Sequence, residues 1–445
     1  MNHIRVLQVS ALCVLCSSAS LFAQTEDAPK VRWKQDRFAI GFWEEPPVDD
    51  KMDERYAEIA EANFTVVLGG HRAIKKQMVA RQLDLCARYD LKAIVWRVWT
   101  MTEVTEKPEL LPEHPALWGY HLKDEPGAGS FPGIGRTVAA IRRARPGKLA
   151  YVNLFPGHPG LRLQLEPGAS KHLGTDTYEE HVSRFISECD VDMLSMDYYP
   201  TMTPAADGRD GYTYNLAVMR KYSLAAGIPF WNYFNAIRFG HLTDPTEAQM
   251  RWQIYTSLAY GAKGVWYFTY WTGTYDGGLA KNPGQFMNTI GLIDLKGRRT
   301  RRWEQARRIN AAVKNMGPTL MKLTSTAVTR VKASDHGFPI LGKTPVEAIG
   351  EWTVTKGTPR RVDLGEYLIG TFRHEDGREA VLINNYHYAH NAWSTLKFRA
   401  DLSRIREVCP KTGDEIPVED DSPFMDGLQL SIEAGGGRLF LINAR

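Results

Sequence analysis

From residue 38 onward, short apolar runs rich in β-branched and aromatic residues alternate with longer stretches whose apolar positions recur at helical spacing. This alternation is typical of βα units, in which successive strands lie parallel in one sheet and helices cover it. The runs that predict strands cover residues 38–43, 64–70, 92–99, 117–125, 149–155, 191–199, 229–235 and 264–271. Eight units of this length predict an α/β fold of the (β/α)8 TIM-barrel type.

The pattern changes near residue 320, where short stretches of alternating apolar and polar residues are separated by turn residues. Runs such as "EYLIGTFRH" and "EAVLINNYHY" are typical of antiparallel strands. They predict a C-terminal antiparallel β-sandwich domain. We therefore expect a barrel domain at residues 38–318 and a sandwich domain at residues 319–445.

The first residues have the layout of a secretory signal peptide, with an early basic residue, an apolar stretch at 6–14 and small residues after it. We expect residues 1–24 to be removed on export to the periplasm or the extracellular space, which leaves 25–37 as an N-terminal linker. Lipid attachment at Cys13 or Cys16 is the weaker alternative, because neither cysteine follows a small residue. No other segment predicts a membrane span.

Charge and composition narrow the classes of partner. The 55 basic and 51 acidic residues give a net charge of +4 and form no long runs, so the chain lacks the basic patch expected for nucleic-acid binding. Cys86, Cys189 and Cys409 fit neither a disulfide framework nor a metal motif, and we expect them to be buried free thiols. No metal or cofactor is predicted, and the sequence does not indicate an oligomeric state.

Polar and aromatic residues collect at the C-terminal ends of the predicted strands, where the loops of a TIM barrel form the mouth that holds the reacting groups. The segment "LWGYHLKDE" ends in two neighbouring carboxylates, Asp124 and Glu125, and Asp197 lies near the end of another strand. Aromatic rings stack on sugars, amides bond to hydroxyls, and a carboxylic acid can protonate a glycosidic oxygen. The candidate sugar contacts are Trp43, Glu44, His71, Asn153, Tyr198, Tyr199, Asn232, Tyr267 and Trp271.

Strand alternation indicates which of the two neighbouring carboxylates points into the mouth. Trp118, Tyr120 and Leu122 share one face of their strand, which we expect to lie beneath the helices. This phase leaves Glu125 on the face toward the mouth. Asp124 is then expected beside it, facing the adjacent loop.

The same counting directs Asp197 into the mouth. We predict Glu125 as the general acid, because burial among aromatic rings and the charge of Asp124 should both raise its pKa. Asp197 is the first candidate for a partner carboxylate and Asp124 the second. Structural roles stay open, since Asp124 could cap the following helix and Asp197 could only orient a neighbour. The aromatic residues could also be core.

With the predicted barrel and sandwich, "WGYHLKDEP" resembles the glycoside hydrolases, in particular secreted relatives of the family 42 β-galactosidase-like barrels in the large retaining clan. The resemblance covers about residues 38–315 and implies an acid/base glutamate after the fourth strand, the position of Glu125. Two features depart from that clan. It usually has asparagine where this chain has Asp124. Its nucleophilic glutamate follows the seventh strand, where "IPFWNYFNAIRFG" offers only Asn232 and Asn235.

The Asp-Glu pair also resembles the hexosaminidases of families 20 and 123, in which the aspartate orients the substrate's 2-acetamido group for attack on the anomeric carbon. That resemblance implies roles for Asp124, Glu125 and either Tyr198 or Tyr199, and it needs no nucleophile from the enzyme. A third arrangement pairs Glu125 with Asp197, where a separation of about 5 Å favours retention and about 6.5–9.5 Å favours inversion. We expect an exported glycoside hydrolase with a carbohydrate substrate; the alternative is a catalytically inactive carbohydrate-binding barrel.

Overall fold

The computed structural model describes residues 31–69, 76–96, 106–107, 110–157, 172–202, 207–240, 242–273, 289–332, 344–351, 365–421, 423 and 427–443. The predicted signal peptide, most of the predicted linker and the candidate His71 lie outside the described residues. The predicted strand ends at Arg97 and Trp99 lie outside them as well.

The barrel strands follow one another along the chain in the predicted order. They are β1 (Ala39–Phe42), β2 (Val66–Gly69), β3 (Lys92–Val95), β4 (Leu117–Asp124), β5 (Leu149–Asn153), β6 (Leu194–Asp197), β7 (Phe230–Asn235) and β8 (Gly264–Phe268). Parallel pairing gives two sheets, β1-β8-β7-β6 and β2-β3-β4-β5. The sheets join at both edges, because Leu154 bridges Met196 and the Thr65 amide donates to the Ile40 carbonyl at 2.9 Å. This closure confirms the predicted barrel.

Helices on the outside of the barrel connect the strands. They are α1 (Met52–Glu61), α2 (Lys76–Arg88), α3 (Phe131–Ala144), α4 (Tyr178–Cys189), α5 (Arg209–Ala226), α6 (Glu247–Ala259) and α7 (Arg301–Met321). The start of α6 is fixed by a capping box: Thr246 Oγ1 accepts from the Gln249 amide, and the Gln249 side chain accepts from the Thr246 amide. The cap sets where the loop after β7 ends and the helical layer begins.

Aromatic side chains fill the barrel beneath the strand ends. The Trp231 and Trp266 rings stack 5.3 Å apart, and Tyr151 lies 6.1 Å from Trp266. Gly41 on β1 makes room for this packing, because a Cβ at that position would lie 2.4 Å from the Trp266 ring. The rings fill the barrel interior below the polar groups at the strand ends, where the mouth of a TIM barrel lies.

The antiparallel strands begin directly after α7. They are β9 (Leu323–Lys332), β10 (Val346–Glu351), β11 (Glu366–His374), β12 (Glu379–Asn385), β13 (Ala392–Phe398), β14 (Ile405–Val408), β15 (Glu415–Pro417), β16 (Leu428–Ile432) and β17 (Gly437–Ile442). They form a six-stranded sheet, β15-β14-β17-β12-β11-β9, and a three-stranded sheet, β10-β13-β16. An apolar core between the sheets confirms the predicted β-sandwich. Gly370 allows β11 to approach the end of α6 closely, since a Cβ there would lie 2.4 Å from the Ala259 carbonyl oxygen.

The three cysteines are free thiols. Cys86 and Cys189 are buried, as expected. Cys409 is partly exposed, which corrects the expectation for that residue, because it begins a turn after β14 whose backbone amides face the sulfur. No helix in the described part of the chain is long and apolar enough to cross a bilayer.

Candidate active site

A bulge near the start of β4 changes which side chains face the barrel interior. Consecutive residues of β3 pair with Leu117 and Gly119, so the register skips Trp118. An extra residue in one strand shifts the alternation of side chains. Trp118 therefore turns inward and stacks 5.9 Å from Trp231, and the prediction that it faces the helices is wrong. Tyr120 belongs to the core beneath the helices, as predicted.

A second bulge near the end of β4 brings Asp124 into the mouth. Consecutive residues of β5 pair with His121, Lys123 and Asp124, so the register skips Leu122. Asp124 then lies opposite Asn153, and these two side chains share the inward face. The prediction that Asp124 faces the adjacent loop is therefore wrong. Neither bulge is visible in the alternation of apolar residues.

The backbone of Glu125 returns its side chain to the same cavity. Its φ of 46° lies in the left-handed region, which is uncommon for residues other than glycine, and its amide donates to the Asn153 carbonyl at 2.8 Å. The Glu125 carboxyl group is hydrogen-bonded to the carboxyl group of Asp197, which ends β6 on the other side of Asn153. The structure thus brings together the three carboxyl groups that the sequence analysis singled out.

The contact between Glu125 and Asp197 shifts both ionisations. Burial raises the pKa of Glu125 well above its usual range, and the charges of Asp197 and Asp124 raise it further. Burial also raises the pKa of Asp197, but hydrogen bonds from Asn153 and Tyr199 oppose that rise by stabilising the anion. Asp197 is therefore the more acidic member of the pair, and the shared proton resides on Glu125.

Asp124 is exposed to solvent, although many protein atoms lie around it. Partial desolvation and the charge of Asp197 raise its pKa to about 7, against the opposing effects of Asn153 and Lys123. Its charge therefore changes near neutral pH, and that change alters the field at Glu125. In the described part of the chain, no group of three or more His, Cys, Asp or Glu side chains is arranged to hold a metal ion.

Two of the candidate sugar contacts hold Asp197. Asn153 Nδ2 donates to Asp197 Oδ1 at 2.9 Å and lies 3.4 Å from Asp124 Oδ1. The Tyr199 hydroxyl donates to the Asp197 carboxylate. Asn153 and Tyr199 therefore lie inside the carboxyl cluster, where they stabilise its anionic member.

Aromatic rings form two walls around the carboxyl cluster. On one wall Trp43, a candidate sugar contact, lies 4.7 Å from Trp96, and Trp96 stacks 4.0 Å from His121. On the other wall Tyr199 lies 5.1 Å from Phe239 and 5.4 Å from Phe268. Sequence reasoning did not propose four of these residues, His121, Trp96, Phe239 and Phe268. The only sequence signal of the last three is an aromatic residue at or just after a strand end.

Two candidates on the β7–β8 side of the mouth point away from the cavity. Asn232 is buried against the helices, where its Nδ2 donates to the Tyr212 hydroxyl at 2.8 Å and to Ser257 Oγ at 3.1 Å. The Tyr267 hydroxyl donates to Asn310 Oδ1 of α7 at 2.7 Å. Both were expected to contact sugar, and both expectations are wrong because the phase of β7 and β8 turns these residues outward.

Two further candidates are packed into the protein. The Tyr198 hydroxyl fills the space where a Cβ on Gly211 of α5 would lie, only 1.9 Å away, so this ring faces the helices. Trp271 is buried beneath the Arg55 guanidinium, which lies 4.9 Å from its ring. Neither ring lines the cavity, and the expectation of a sugar contact is corrected for both. Tyr198 and Tyr199 are consecutive residues just after β6, and the first faces the helices whereas the second is hydrogen-bonded to Asp197.

Glu44 and Glu45 follow β1 and differ in burial. Glu44 is half-buried and has a φ of 63°, and its carbonyl accepts from the Trp271 amide at 3.1 Å. Glu45 is buried, and its Oε2 accepts from Gln82 Nε2 at 2.6 Å. Of the two, Glu44 is the one with access to solvent at the rim.

No protein-family model matches the chain, and no curated protein matches it. Solved structures do match. The structure of a catalytic mutant of Gan42B, a family 42 β-galactosidase from G. stearothermophilus, aligns with a TM-score of 0.57 at 8% identity over 92% of this chain and 99% of that chain. The chain has the fold of a glycoside hydrolase barrel. At this level of identity the likeness establishes the fold, so chemistry must be argued from the site.

Two other glycoside hydrolases resemble the chain more weakly. A family 39 enzyme from Bacteroides cellulosilyticus has a TM-score of 0.46 at 12% identity, over 93% of this chain and 82% of that chain. A β-galactosidase from a psychrophilic Marinomonas has a TM-score of 0.47 at 12% identity, over 64% of this chain. The chain spans 62% of the length of that Marinomonas enzyme.

Proposed function

We propose that this protein is an exported glycoside hydrolase in which Glu125 is the general acid and then the general base. The observation that carries the proposal is the hydrogen bond between the Glu125 and Asp197 carboxyl groups at the C-terminal end of the barrel strands. A carboxyl pair of this kind costs stability, which points to a use in chemistry, and reacting groups of TIM barrels lie at this end. The flanking rings supply surfaces on which a sugar can stack.

Glu125 and Asp197 have different roles in the proposed reaction. Asp197 accepts hydrogen bonds from Asn153 and Tyr199 and stays anionic, so the proton remains on Glu125 at neutral pH. Glu125 can then deliver this proton to the oxygen of the departing sugar or aglycone. The Asp197 anion stabilises positive charge that develops at the anomeric carbon.

The same contact favours a substrate-assisted route. Carboxyl groups that flank an anomeric carbon lie about 5 Å apart in retaining enzymes and about 6.5–9.5 Å apart in inverting ones, whereas those of Glu125 and Asp197 share a hydrogen bond. Asn235, which ends β7, is buried, and its amide donates to Thr201, so β7 does not replace the nucleophile. A 2-acetamido oxygen of the substrate would attack the anomeric carbon while Asp197 accepts the amide proton in a hydrogen bond.

The steps balance without a cofactor. The acetamido oxygen forms a bond to the anomeric carbon as the glycosidic bond breaks, and Glu125 gives its proton to the leaving oxygen. Water then attacks the anomeric carbon, Glu125 takes the proton from that water, and the bond to the acetamido oxygen breaks. The product keeps the anomeric configuration of the substrate.

A matched panel of aryl glycosides tests this function. Each sugar is offered with a 2-acetamido group and with a 2-hydroxyl group, and NMR reads the anomer of the first product. We expect cleavage of an acetamido member with retention and little cleavage of its hydroxyl counterpart. Retention on a sugar that lacks the amide would exclude the substrate-assisted route but leave Glu125 as the acid.

The alternative is a carbohydrate-binding barrel without catalysis, favoured by one observation. In the described part of β7, no carboxylate replaces the nucleophile of the retaining clan. Sugars that raise the melting temperature of the parent and of Glu125→Gln equally, with no product from either, would support that alternative. Turnover of any panel member by the parent excludes it.

Export is part of the proposal and rests on the layout of residues 1–24. Expression of the full chain in a bacterial host should yield a mature protein that begins close to Gln24. Intact-mass measurement of the periplasmic or secreted fraction reads that terminus. A lipid-modified cysteine at the mature terminus would support the anchored alternative instead.

A further inference from the structure

A chain of buried hydrogen bonds runs from the carboxyl cluster into the barrel interior. Asn153 Nδ2 donates to Asp197 Oδ1 at 2.9 Å, and Asn153 Oδ1 accepts from Ser195 Oγ at 2.9 Å. The Tyr151 hydroxyl lies 2.9 Å from Ser195 Oγ and 3.3 Å from the Tyr233 hydroxyl. Ser195 and Tyr151 are fully buried, so a substrate in the mouth does not reach them.

The two ends of the Asn153 amide have opposite chemistry. Its Nδ2 faces Asp197 and Asp124, which accept hydrogen bonds when ionised. A flipped amide would direct its oxygen at both carboxylates and repel them. Ser195 opposes that flip by donating to Oδ1. Because Ser195 gives its only proton to Asn153, Tyr151 must be the donor in the 2.9 Å bond between the two hydroxyl groups, in place of its longer 3.3 Å bond to the Tyr233 hydroxyl.

Hydrogen bonding is the main source of stabilisation for the Asp197 anion. Among the described residues, the titratable groups that interact electrostatically with it include Glu125, Asp124, Tyr199, Tyr178 and Tyr151. The ring of His121 also lies in this part of the barrel, 5.4 Å from the Tyr151 ring. Lys123 acts on the neighbouring Asp124 instead. The hydrogen bonds from Asn153 and Tyr199 therefore lower the pKa of Asp197 and favour its anion.

We propose that Ser195, supported by Tyr151, is a positioning residue that fixes the Asn153 amide and thereby keeps the shared proton on Glu125 rather than on Asp197. The inference rests on the proposed function for its catalytic consequence. The orientation of the amide and the ionisation of Asp197 are properties of the free protein and can be measured without any substrate.

The test compares Ser195→Ala with Ser195→Thr, which keeps a hydroxyl group. In Ser195→Ala the amide loses the donor to Oδ1, so the Asp197 anion is less well stabilised and its pKa should rise by roughly one unit. Carboxyl ¹³C NMR of aspartate-labelled protein reads this ionisation, and Asp197→Asn assigns the signal. The acidic limb of the kcat/KM profile should move to higher pH, and kcat should fall roughly tenfold or more. Ser195→Thr should restore both.

Ser257→Ala is the matched control. Ser257 is equally buried and bonds to the Tyr212 hydroxyl at 2.8 Å, but it belongs to the helical layer. This variant should lose stability while the Asp197 signal and the acidic limb keep their positions. If Ser195→Ala does not fold, Tyr151→Phe removes the next hydroxyl group in the series of hydrogen bonds. It should shift the Asp197 signal in the same direction.

An Asp197 signal that titrates identically in the parent, Ser195→Ala and Tyr151→Phe overturns the inference. A shifted signal in a protein that cleaves no glycoside leaves the positioning role intact and removes the proposed function. The two failures are thus distinguishable.

Discussion

The β4–β6 side of the barrel mouth and the β7–β8 side both carry polar residues near their strand ends, but only on the first side do candidate carboxyl groups come together. On the β4–β6 side, Glu125 and Asp197 touch, and Asp124 lies beside them. On the β7–β8 side, Asn232 and Tyr267 turn outward and bond to helix side chains. The difference between the two sides is where the hydrogen-bonding partners lie.

The comparison separates polar residues that build the fold from those available for chemistry. An amide or hydroxyl that bonds to the helical layer is satisfied and stabilises the barrel. Neighbouring carboxyl groups that resist joint ionisation instead destabilise the folded state as pH rises, and they persist where their shifted pKa values are useful. By this criterion the β4–β6 side is the candidate for the proposed chemistry, whereas Asn232 and Tyr267 on the β7–β8 side belong to the fold.

Of the variants considered, Glu125→Gln should have the largest effect on activity, and it tests the proposed role of the β4–β6 side. An amide cannot deliver the proton, so kcat on alkyl glycosides should fall by roughly 10²–10⁴-fold. Steady-state kinetics on the selected sugar measure it. Glu61→Gln, a surface change at a residue paired with Arg299, should keep the parent kcat. Near-parent activity of Glu125→Gln would mean that the acid lies elsewhere.

Asp197→Asn should lower kcat by roughly 10²-fold, because it removes the anion that faces the developing positive charge. It should also lower the pKa of Glu125, since the charge of Asp197 is the nearest one that raises it. The basic limb of the kcat/KM profile then moves to lower pH. Asp124→Asn should also move the basic limb to lower pH, but by a smaller amount than Asp197→Asn does. A basic limb that stays in place would mean that the two carboxyl groups are not coupled.

The carboxyl contact should also make stability depend on pH. Folding raises the pKa of Glu125 above its unfolded value of about 4.3, so the stabilisation is fully present below that pH and is lost as pH rises through the folded pKa. The melting temperature of the parent should therefore decline between about pH 5 and pH 8 by more than that of Glu125→Gln. Parallel curves for the two proteins would argue against a raised pKa.

Changes on the β7–β8 side should have the smallest effect on activity. Asn232→Ala leaves buried groups of Tyr212 and Ser257 without a donor and should cost about 1–3 kcal/mol of stability. Tyr267→Phe loses one bond to Asn310, a cost of about 1 kcal/mol. Urea unfolding measures the losses, and kcat of the folded variants should match the parent. A variant with the stability of the parent but no activity would contradict the conclusion that these residues of the β7–β8 side only stabilise the fold.

Much of the fold follows from local patterns in the sequence. Alternating strand and helix runs specify the barrel because each βα unit must bury one face against its neighbours. Strand ends and phase also predicted that Glu125 and Asp197 lie at the same end of the barrel, and the structure brings these two residues together. Phase alone separates Tyr199 from Tyr198, but the sequence analysis kept both, because aromatic residues suit the core and the cavity equally well.

The errors have two physical causes. Bulges in β4 shift the alternation around Trp118 and before Asp124, and hydrogen bonding between distant strands sets bulges that apolar spacing does not record. Asn232 and Tyr267 were misassigned because their partners lie on helices far away in the chain. A polar residue near a strand end has the same sequence signature whether it faces the cavity or the helices.

The dependence of rate on the leaving group tests the role of Glu125 most directly. For the sugar that the panel selects, kcat/KM is measured with a dinitrophenyl leaving group, which departs without protonation, and with a phenyl leaving group, which needs the acid. The account predicts that Glu125→Gln keeps most of its rate on the dinitrophenyl glycoside and loses it on the phenyl glycoside. An equal loss on both substrates would contradict proton donation by Glu125.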